Sequence, residues 1–509
     1  MTETDELVRR SLADSTGATF AERVAEQAGR LRTAIAAGEF DSPGFAVGLE
    51  LEGYAVGQPI DSDARLQPLP DPVFDGPANK ELGVHNVELN TDPDVFDSAG
   101  LDRQRGAIAD SVAAVRAAAT DWGQEIALDA MWTIPPSGGS RTHLGETEDR
   151  NGVTVATNMR ADPRYVALDN DSLRHAGGRI PLDVPGATIE FPGILFESLT
   201  TSIQPHLQIP AAEALPAHYN AAIRTLGPVL ALAANSPFLP PDLYDVDDPE
   251  RLVAETPHEL RIPVFEQSVN HTANPKVRVP RDIAEPAEVV DRVVTDDRLA
   301  PFLREWVADR PREGVADRLW EFDYKRSTYW RWLRCVPGGD PVGGGDERSL
   351  RIEYRPLPTQ PTVRDVVAFQ ALTAGLIRGL VAADHPLTTL PWSDAEASFY
   401  AAVADGPAAD LTWVTADGDR TADTDVVFDE VLTYARRGLR EAGLSGATAD
   451  DYLAPVEARA ETGTTPSSWK KASVRERLRD GASLAEAITG TQRTYLQLSR
   501  TSESFAEWF

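Results

Sequence analysis

The sequence has little cysteine, little lysine and no long apolar segment. Cys335 is the only cysteine in 509 residues, which excludes intramolecular disulfides and cysteine clusters around zinc or iron–sulfur centres. Five residues are lysine, and Lys and Arg number 49 against 80 Asp and Glu, a formal net charge of −31. No window of about 18 apolar residues occurs, and residues 1–40 are polar and charged. We therefore expect neither a membrane span nor a signal segment, and interpret the protein as cytoplasmic.

The acidic excess, carried with arginine in place of lysine, is typical of cytoplasmic proteins from halophiles that accumulate salt. At molar salt an acidic surface stays hydrated and its self-repulsion is screened. Most of the charge then reflects surface adaptation and indicates no particular ligand. The charge does argue against general nucleic-acid binding, because that function needs a basic face.

Hydrophobic residues make up 42% of the chain and charged residues 25%, the balance of a folded globular protein. Apolar periodicity predicts helices and strands in mixed order, without a regular βαβ rhythm, so an α+β fold is favoured. We predict an N-terminal helical segment (1–40), a main α+β domain (41–410) with a loop insertion (58–80), and a C-terminal helical part (411–509) that completes the same domain. Helices are predicted at 5–37, 101–121, 217–237, 362–383, 394–405, 424–443 and 470–500, and strands at 42–56, 84–93, 125–136, 198–210, 327–336 and 348–357.

Four of the predicted strands have an apolar face and a face of charged and amide side chains, because side chains alternate along a strand. The polar sets are Glu50 and Glu52; Asn86, Glu88 and Asn90; Ser202, Gln204, His206 and Gln208; and Arg351, Glu353 and Arg355. One such face could simply meet water. Four together contain paired glutamates that would repel one another unless a cation lies between them. Carboxylates with one imidazole suit Mg²⁺ or Mn²⁺, and paired arginines suit phosphate, so the pattern favours phosphoryl transfer from ATP.

Several segments, in order along the chain, resemble the glutamate–cysteine ligase type 2 family of carboxylate–amine ligases, whose fold is related to glutamine synthetase. They are GLELE (48–52), VELNTDP (87–93), SIQPHLQI (202–209), LALAANSPF (230–238), ELRIPVFEQ (259–267), RIEYRPLPTQPTV (351–363) and TGTTPSSWKK (462–471). The resemblance implies a curved antiparallel sheet, flanked by helices, whose polar face binds Mg²⁺ and ATP, as in glutamine synthetase and guanido kinases.

The resemblance also implies residue roles. Arg355 would face the transferred γ-phosphate, and Arg261 would hold substrate or phosphate. The implied metal ligands are Glu50, Glu52, Glu88, His206 and Glu353, and further candidates for substrate or phosphate binding are Arg351, Gln204 and Gln208. Gln204 departs from the pattern, since many relatives carry a first histidine there. For Lys470 and Lys471 two interpretations stay open: a lid near the nucleotide, or a plain helix start.

The implied activity is ATP-dependent formation of an amide through an acyl phosphate, with glutamate and cysteine as the best-named substrates. The same fold could instead act as a small-molecule kinase, as a ligase for another amine, or as a non-catalytic nucleotide-binding protein. The expected partners are an amino acid and an amine acceptor, without nucleic acid or membrane. The oligomeric state is left open.

Overall fold

A computed structural model describes residues 3–60, 62–307 and 314–508 of the chain. Residues 1–2, 61, 308–313 and 509 lie outside this part, so segment predictions that include them are compared only over the described residues.

The described residues contain seventeen α-helices. They are α1 (Glu3–Ser11), α2 (Asp14–Ala36), α3 (Ser98–Thr120), α4 (Ser140–Gly145), α5 (Pro163–His175), α6 (Leu215–Ala233), α7 (Pro249–Glu255), α8 (Arg261–Val269), α9 (Glu288–Thr295), α10 (Gly314–Arg318), α11 (Trp320–Ser327), α12 (Val363–Ala382), α13 (Trp392–Asp405), α14 (Thr424–Glu441), α15 (Gly446–Thr462), α16 (Pro466–Arg479) and α17 (Leu484–Thr501).

The same residues contain fourteen β-strands. They are β1 (Ala46–Gly57), β2 (Ala78–Lys80), β3 (Asn86–Asn90), β4 (Asp94–Val95), β5 (Gln124–Ala127), β6 (Thr147–Asp149), β7 (Thr154–Ala156), β8 (Ile180–Val184), β9 (Ala187–Phe191), β10 (Ile203–Ile209), β11 (Leu333–Pro337), β12 (Leu350–Tyr354), β13 (Trp413–Val414) and β14 (Arg420–Thr421).

One antiparallel sheet of eight strands organises the fold. Its strand order is β11-β12-β10-β1-β3-β2, and β4 and β5 pair with the two ends of the long strand β1. The apolar side chains of β1, β3, β10 and β12 are buried, as the alternation predicts. Mixed helix and antiparallel sheet confirm the predicted α+β class.

The helix α12 lies under this sheet. It packs against β10 and against α14, α15 and α6. By length and composition it could cross a membrane, but 83% of its most apolar window is buried inside the protein. The burial gives this apolar helix a place in the hydrophobic core.

Backbone contact between α12 and α14 depends on glycine. A Cβ atom at Gly379 would lie 1.9 Å from the Tyr434 carbonyl oxygen, and one at Gly438 would lie 1.9 Å from the Gly375 carbonyl oxygen. Any larger side chain at these positions would force the helices apart. The two helices therefore approach as closely as their backbones allow.

The C-terminal helices α16 and α17 both begin with a capping box. Thr465 caps α16, and its backbone N–H donates to Ser468 Oγ at 2.7 Å. Ser483 caps α17 in the same way with Glu486 at 2.9 Å. Reciprocal bonds of this kind satisfy backbone donors that a helix start otherwise leaves free. They define where each helix begins.

The predicted helices and strands correspond to described elements, with differences in extent. The strand predicted at 125–136 is confined to β5 (124–127), and a short helix, α4, follows the proline pair. The predicted loop insertion (58–80) ends in β2, a sheet strand that the Pro- and Asp-rich composition concealed. The division into domains stays a prediction.

Candidate active site

The register of the central strands brings the predicted glutamates onto one face. Glu50 of β1 lies opposite Gln204 on one side and Asn90 on the other, and Glu52 lies opposite Glu88. Directly opposed residues in a sheet point to the same face. This face therefore has carboxylates on two adjacent strands.

The register of the next strands extends the same face. His206 of β10 lies opposite Glu353 of β12, and Gln208 lies opposite Arg351. On the far side of β12, Glu353 lies opposite Arg334 of β11. The polar surface of the sheet therefore runs from the acidic strands β1 and β3 to three basic side chains, those of Arg351, Arg334 and Arg355. Arg355 lies just past the end of β12.

Three of the predicted metal ligands form a compact group. One ligand atom each from Glu50, His206 and Glu353 lies within 4.8 Å of the others. His206 is buried, its Nε2 is 3.2 Å from Glu50 Oε1, and among the described residues neither ring nitrogen has a well-formed hydrogen bond. Buried polar atoms without a partner are uncommon in native proteins. The donor set of two carboxylates and one imidazole fits a divalent cation such as Mg²⁺ or Mn²⁺.

Glu353 is held by two arginines. Arg334 Nε lies 2.9 Å from Glu353 Oε2, and Arg334 Nη2 lies 2.9 Å from Glu353 Oε1. Arg355 Nη1 donates to the same Oε1 atom. Burial would raise the pKa of Glu353, but Arg334 and Arg355 outweigh it and hold that pKa well below its usual value. The carboxylate is therefore ionised and oriented before any ligand arrives.

Arg355 is connected to the acidic end of the face through Gln204. Arg355 Nη1 donates to Gln204 Oε1 at 2.5 Å, and Gln204 Nε2 donates to Glu52 Oε1 at 3.1 Å. Glu52 also accepts from the Ser202 backbone N–H at 2.8 Å. An amide suits this position because it accepts from a cation and donates to a carboxylate at once. Gln204 thus orients both Arg355 and Glu52.

Four carboxylates, those of Glu52, Glu81, Glu88 and Glu197, form the acidic end of the site. Burial, with repulsion from Glu81, raises the pKa of Glu52 to about 7. Burial also raises the pKa of Glu197 to about 8, with repulsion from Glu52 and Glu81, and it raises that of Glu88 well above the usual range. Like charges held together in this way favour either protonation or a bound cation.

Arg261 lies beside the acidic end, at the start of α8. Its Nε is 3.3 Å from Glu259 Oε1, its Nη2 donates to the Pro356 carbonyl, and its guanidinium lies 5.5 Å from the centre of the Trp332 ring. Arg261 is 3% exposed, and its guanidinium interacts electrostatically with the carboxylate of Glu52. The structure therefore holds Arg261 rigidly next to the polar face.

Two neighbouring cavities with shared lining residues open onto the basic end of the face. The smaller, of about 170 Å³, is lined by Glu50, His206 and Gln208, and the larger, of about 460 Å³, by Arg326 and Phe322. Both are lined by Gly339, Asp340 and Arg351. Gln208 donates to the Gly44 carbonyl at 3.1 Å, which fixes it at the cavity wall. The larger cavity alone has room for a ligand bigger than phosphate.

Sequence reasoning missed four residues of this surface. They are Arg334, Arg326, Glu81 and Glu197. Arg334 lies outside the polar strand faces predicted from the sequence, and only the hairpin register places it opposite Glu353. A register shift of one residue would turn it to the other face. The other three come from segments outside the polar strands and carry no local pattern.

Lys470 and Lys471 are buried on α16 and do not line the polar face. Lys470 Nζ lies 2.6 Å from Asp129 Oδ1, and Lys471 Nζ donates to the Thr256 carbonyl at 2.5 Å. The contacts of the two lysines favour the helix-start interpretation over a lid.

Cys335 is also buried, and burial raises the pKa of its thiol to about 12.

Two solved structures share the fold at low sequence identity. One is glutamate–cysteine ligase from Francisella tularensis in complex with AMP, at 13% identity and a TM-score of 0.51, covering 91% of this chain and 90% of that one. The other is a bifunctional glutathione synthetase from Pasteurella multocida, at 12% identity and a TM-score of 0.50, covering 89% of this chain and 52% of that one. No curated protein sequence matches the chain.

The sequence profile of Glutamate-cysteine ligase family 2 matches residues 46–494, which is most of the chain. The matched span includes every strand of the polar face and all of the site residues predicted from the sequence. The chain therefore belongs to glutamate–cysteine ligase family 2.

Proposed function

We propose that the protein is an ATP- and Mg²⁺-dependent carboxylate–amine ligase that forms a γ-glutamyl amide, with glutamate and cysteine as its substrates. The observation that carries the proposal is the group of Glu50, His206 and Glu353 beside Arg355 on one sheet face. Family membership supports the ligase chemistry. AMP in the complex of the Francisella tularensis enzyme supports an adenine nucleotide as co-substrate.

In the proposed reaction an oxygen of the substrate carboxylate attacks the γ-phosphorus of ATP. The bond from that phosphorus to the bridging oxygen breaks, and ADP leaves with the electron pair. The amine nitrogen then attacks the acyl carbon, the carbon–oxygen bond to phosphate breaks, and inorganic phosphate and one proton leave. This route needs no nucleophilic side chain.

The cation-binding residues would be Glu50, His206 and Glu353 at one end, and Glu52 and Glu88 at the other. Mg²⁺ or Mn²⁺ bound there would neutralise the phosphate charges. For Glu52 and Glu88 the raised pKa values support this assignment, since a cation would favour their ionised form.

The arginines would act on the transferred phosphoryl group and on the substrate carboxylate. Arg355 is held by Glu353 and Gln204, so its guanidinium is oriented without reorganisation during the reaction. Arg351 lines both cavities and its Nε has no hydrogen-bond partner among the described residues, which suits it to phosphate binding. Arg261 would hold substrate near Glu52, and Gln208 would line the ligand space.

The test is ADP release with Mg²⁺, ATP and glutamate, at molar KCl because of the acidic surface, with cysteine and a panel of other amines. We expect release that depends on the amine and is greatest with cysteine. Glu353→Gln should lower kcat by about 10²- to 10³-fold, because it removes a ligand and the partner of Arg355. The matched control, Glu26→Gln, changes an exposed carboxylate on α2 and should leave kcat unchanged.

Three outcomes would contradict parts of the proposal. ADP release without any amine dependence, with a phosphorylated product, would indicate a kinase on the same fold. Preference for another amine would exclude cysteine as the acceptor. Tight nucleotide binding without turnover for any substrate pair would indicate a non-catalytic nucleotide-binding protein.

A further inference from the structure

A separate polar cavity, of about 470 Å³, lies near the start of β11, away from the candidate active site. Its walls come from the segment before α9, from α9 itself, from the residues leading into β11 and from the start of α13. The charged residues of the lining are Arg278, Arg281, Arg292, Arg331, Asp296 and Glu396. This set shares no residue with the polar face of the sheet.

Four arginines converge on this cavity in a chain that is strongly acidic overall. Two of them are anchored by the protein. Arg331 is 3% exposed and donates to Asp296 Oδ1 at 2.8 Å and to the Lys276 carbonyl. Arg292 donates to the Arg281 carbonyl at 2.7 Å. These bonds hold the two guanidinium groups in place at the wall.

The other two arginines, Arg278 and Arg281, have no ion pair and no side-chain hydrogen bond within residues 3–60, 62–307 and 314–508. The Arg281 guanidinium stacks 3.3 Å from the centre of the Trp392 ring, and the indole is fixed by donation to the Pro280 carbonyl at 2.6 Å. A stacked guanidinium keeps its N–H groups free at the ring edge. The guanidinium N–H groups of Arg278 and Arg281 are therefore available to a ligand.

The lining of the cavity holds four arginines against two carboxylates, Asp296 and Glu396. Asp296 is already shared by Lys276 and Arg331. Burial raises the pKa of Glu396, although Arg281 and Arg278 oppose that rise, and no arginine forms an ion pair with it in the described chain. Burial and the proximity of Arg331 lower the pKa of Arg278. The cavity is thus lined by more cationic than anionic side chains.

We propose that this cavity binds a small organic anion with phosphate or carboxylate groups, through Arg278 and Arg281. Planar guanidinium groups match both anions in a bidentate way, and a partly enclosed site strengthens such bonds. The volume exceeds that of inorganic phosphate, so the cavity has room for a ligand with two or more anionic groups or an organic body. Arg331 and Arg292, held in place by their own hydrogen bonds, add positive charge to the cavity wall.

The test measures binding by calorimetry to the full-length protein, without Mg²⁺ and in the lowest KCl that maintains the fold. The probes are inorganic pyrophosphate for phosphate chemistry and citrate for carboxylate chemistry. The test variant is Arg278→Gln/Arg281→Gln. Its matched control is Arg30→Gln/Arg251→Gln, which removes the same charge at two exposed arginines on α2 and α7.

At least one probe should bind the wild type and the control variant equally, and the test variant about tenfold or more weakly. The probe that shows this loss identifies the anion chemistry. Equal binding to all three proteins would overturn the proposal, because it would place any bound anion elsewhere. Equal loss in the test and control variants would also overturn it, since general charge would then explain binding. The thermal midpoint of each variant checks that the fold is intact.

Discussion

Lys470 offers a sharp test of what the tertiary structure adds to the sequence. Its Nζ lies 2.6 Å from Asp129 Oδ1 and 2.8 Å from the Asn235 carbonyl oxygen, and 4.2 Å from the centre of the Tyr495 ring. Its side chain is 6% exposed and that of Asp129 is 0% exposed. Gln492 donates to the other carboxylate oxygen of Asp129 at 2.6 Å. The lysine is therefore the only cationic partner of a buried carboxylate among the described contacts.

Replacing Lys470 by methionine keeps the length of the side chain and removes the charge. Removing one partner of a buried ion pair leaves the other unpaired, which costs about 3–5 kcal/mol. We expect Lys470→Met to lower the free energy of unfolding by that amount, measured by urea unfolding at constant KCl with tryptophan fluorescence. Lys470→Met/Asp129→Asn should be more stable than the single variant, because no buried charge is left unpaired.

The control is Arg30→Met, which breaks an exposed pair with Glu26 on α2. Such a pair contributes about 0.5 kcal/mol or less, and salt screens it. Unchanged unfolding of Lys470→Met, together with a raised KM for ATP, would refute the structural role and restore the lid interpretation. A double variant no more stable than the single one would refute the assigned pairing with Asp129.

Three further predictions rest on separate features. Gly438→Ala should lower the free energy of unfolding by about 3 kcal/mol, because its Cβ overlaps the backbone of α12, whereas Gly106→Ala should raise it by about 0.5–1 kcal/mol. Between pH 7 and pH 5.5 the free energy of unfolding, measured with urea, should fall less in His143→Gln than in the wild type. Arg334→Lys should lower kcat about tenfold, because lysine cannot form the two bonds that orient Glu353.

The sign for His143 follows from burial, which lowers the pKa of the folded imidazole to about 4 from its ordinary value near 6.5. The stability from a neutral His143 is complete above pH 6.5. It is lost as the pH falls toward 4, by about 1 kcal/mol per pH unit, because the unfolded chain binds the proton first. An identical pH slope in wild type and variant would contradict this account.

The other two predictions have their own tests. Gly106 of α3 has no atom within 4 Å of its built Cβ, so a loss of stability in Gly106→Ala as large as in Gly438→Ala would exclude close packing as the cause. For Arg334→Lys the thermal midpoint should stay close to that of the wild type. A change confined to KM for glutamate would show that Arg334 does not act through Glu353.

Much of the candidate site was predictable from the sequence because strand alternation is local. Glu50 and Glu52 share a face in any strand, whatever their neighbours are, and the same holds for Gln204 and His206. The resemblance of ordered segments then indicated how these strands combine. The residue roles themselves stay predictions until the assays are made.

Other parts were not predictable because they depend on register and on distant segments. Arg334 reaches Glu353 only in one pairing of β11 with β12. Glu81 and Glu197 join Glu52 from a loop and from a short turn of helix, far apart in the chain. The strand β2 was concealed in a Pro- and Asp-rich segment, since three residues are too few for a periodic signal.

The sequence by itself determined the α+β class, the helices and strands with strong periodicity, and the chemical character of each strand face, because these follow from backbone geometry and nearest neighbours. Only the tertiary structure decided which charges meet. It placed Lys470 beside Asp129, Arg334 beside Glu353, and Arg278 and Arg281 beside a separate cavity. Pairing of charges is decided by burial and distance, and these arise only when segments far apart in the chain pack together.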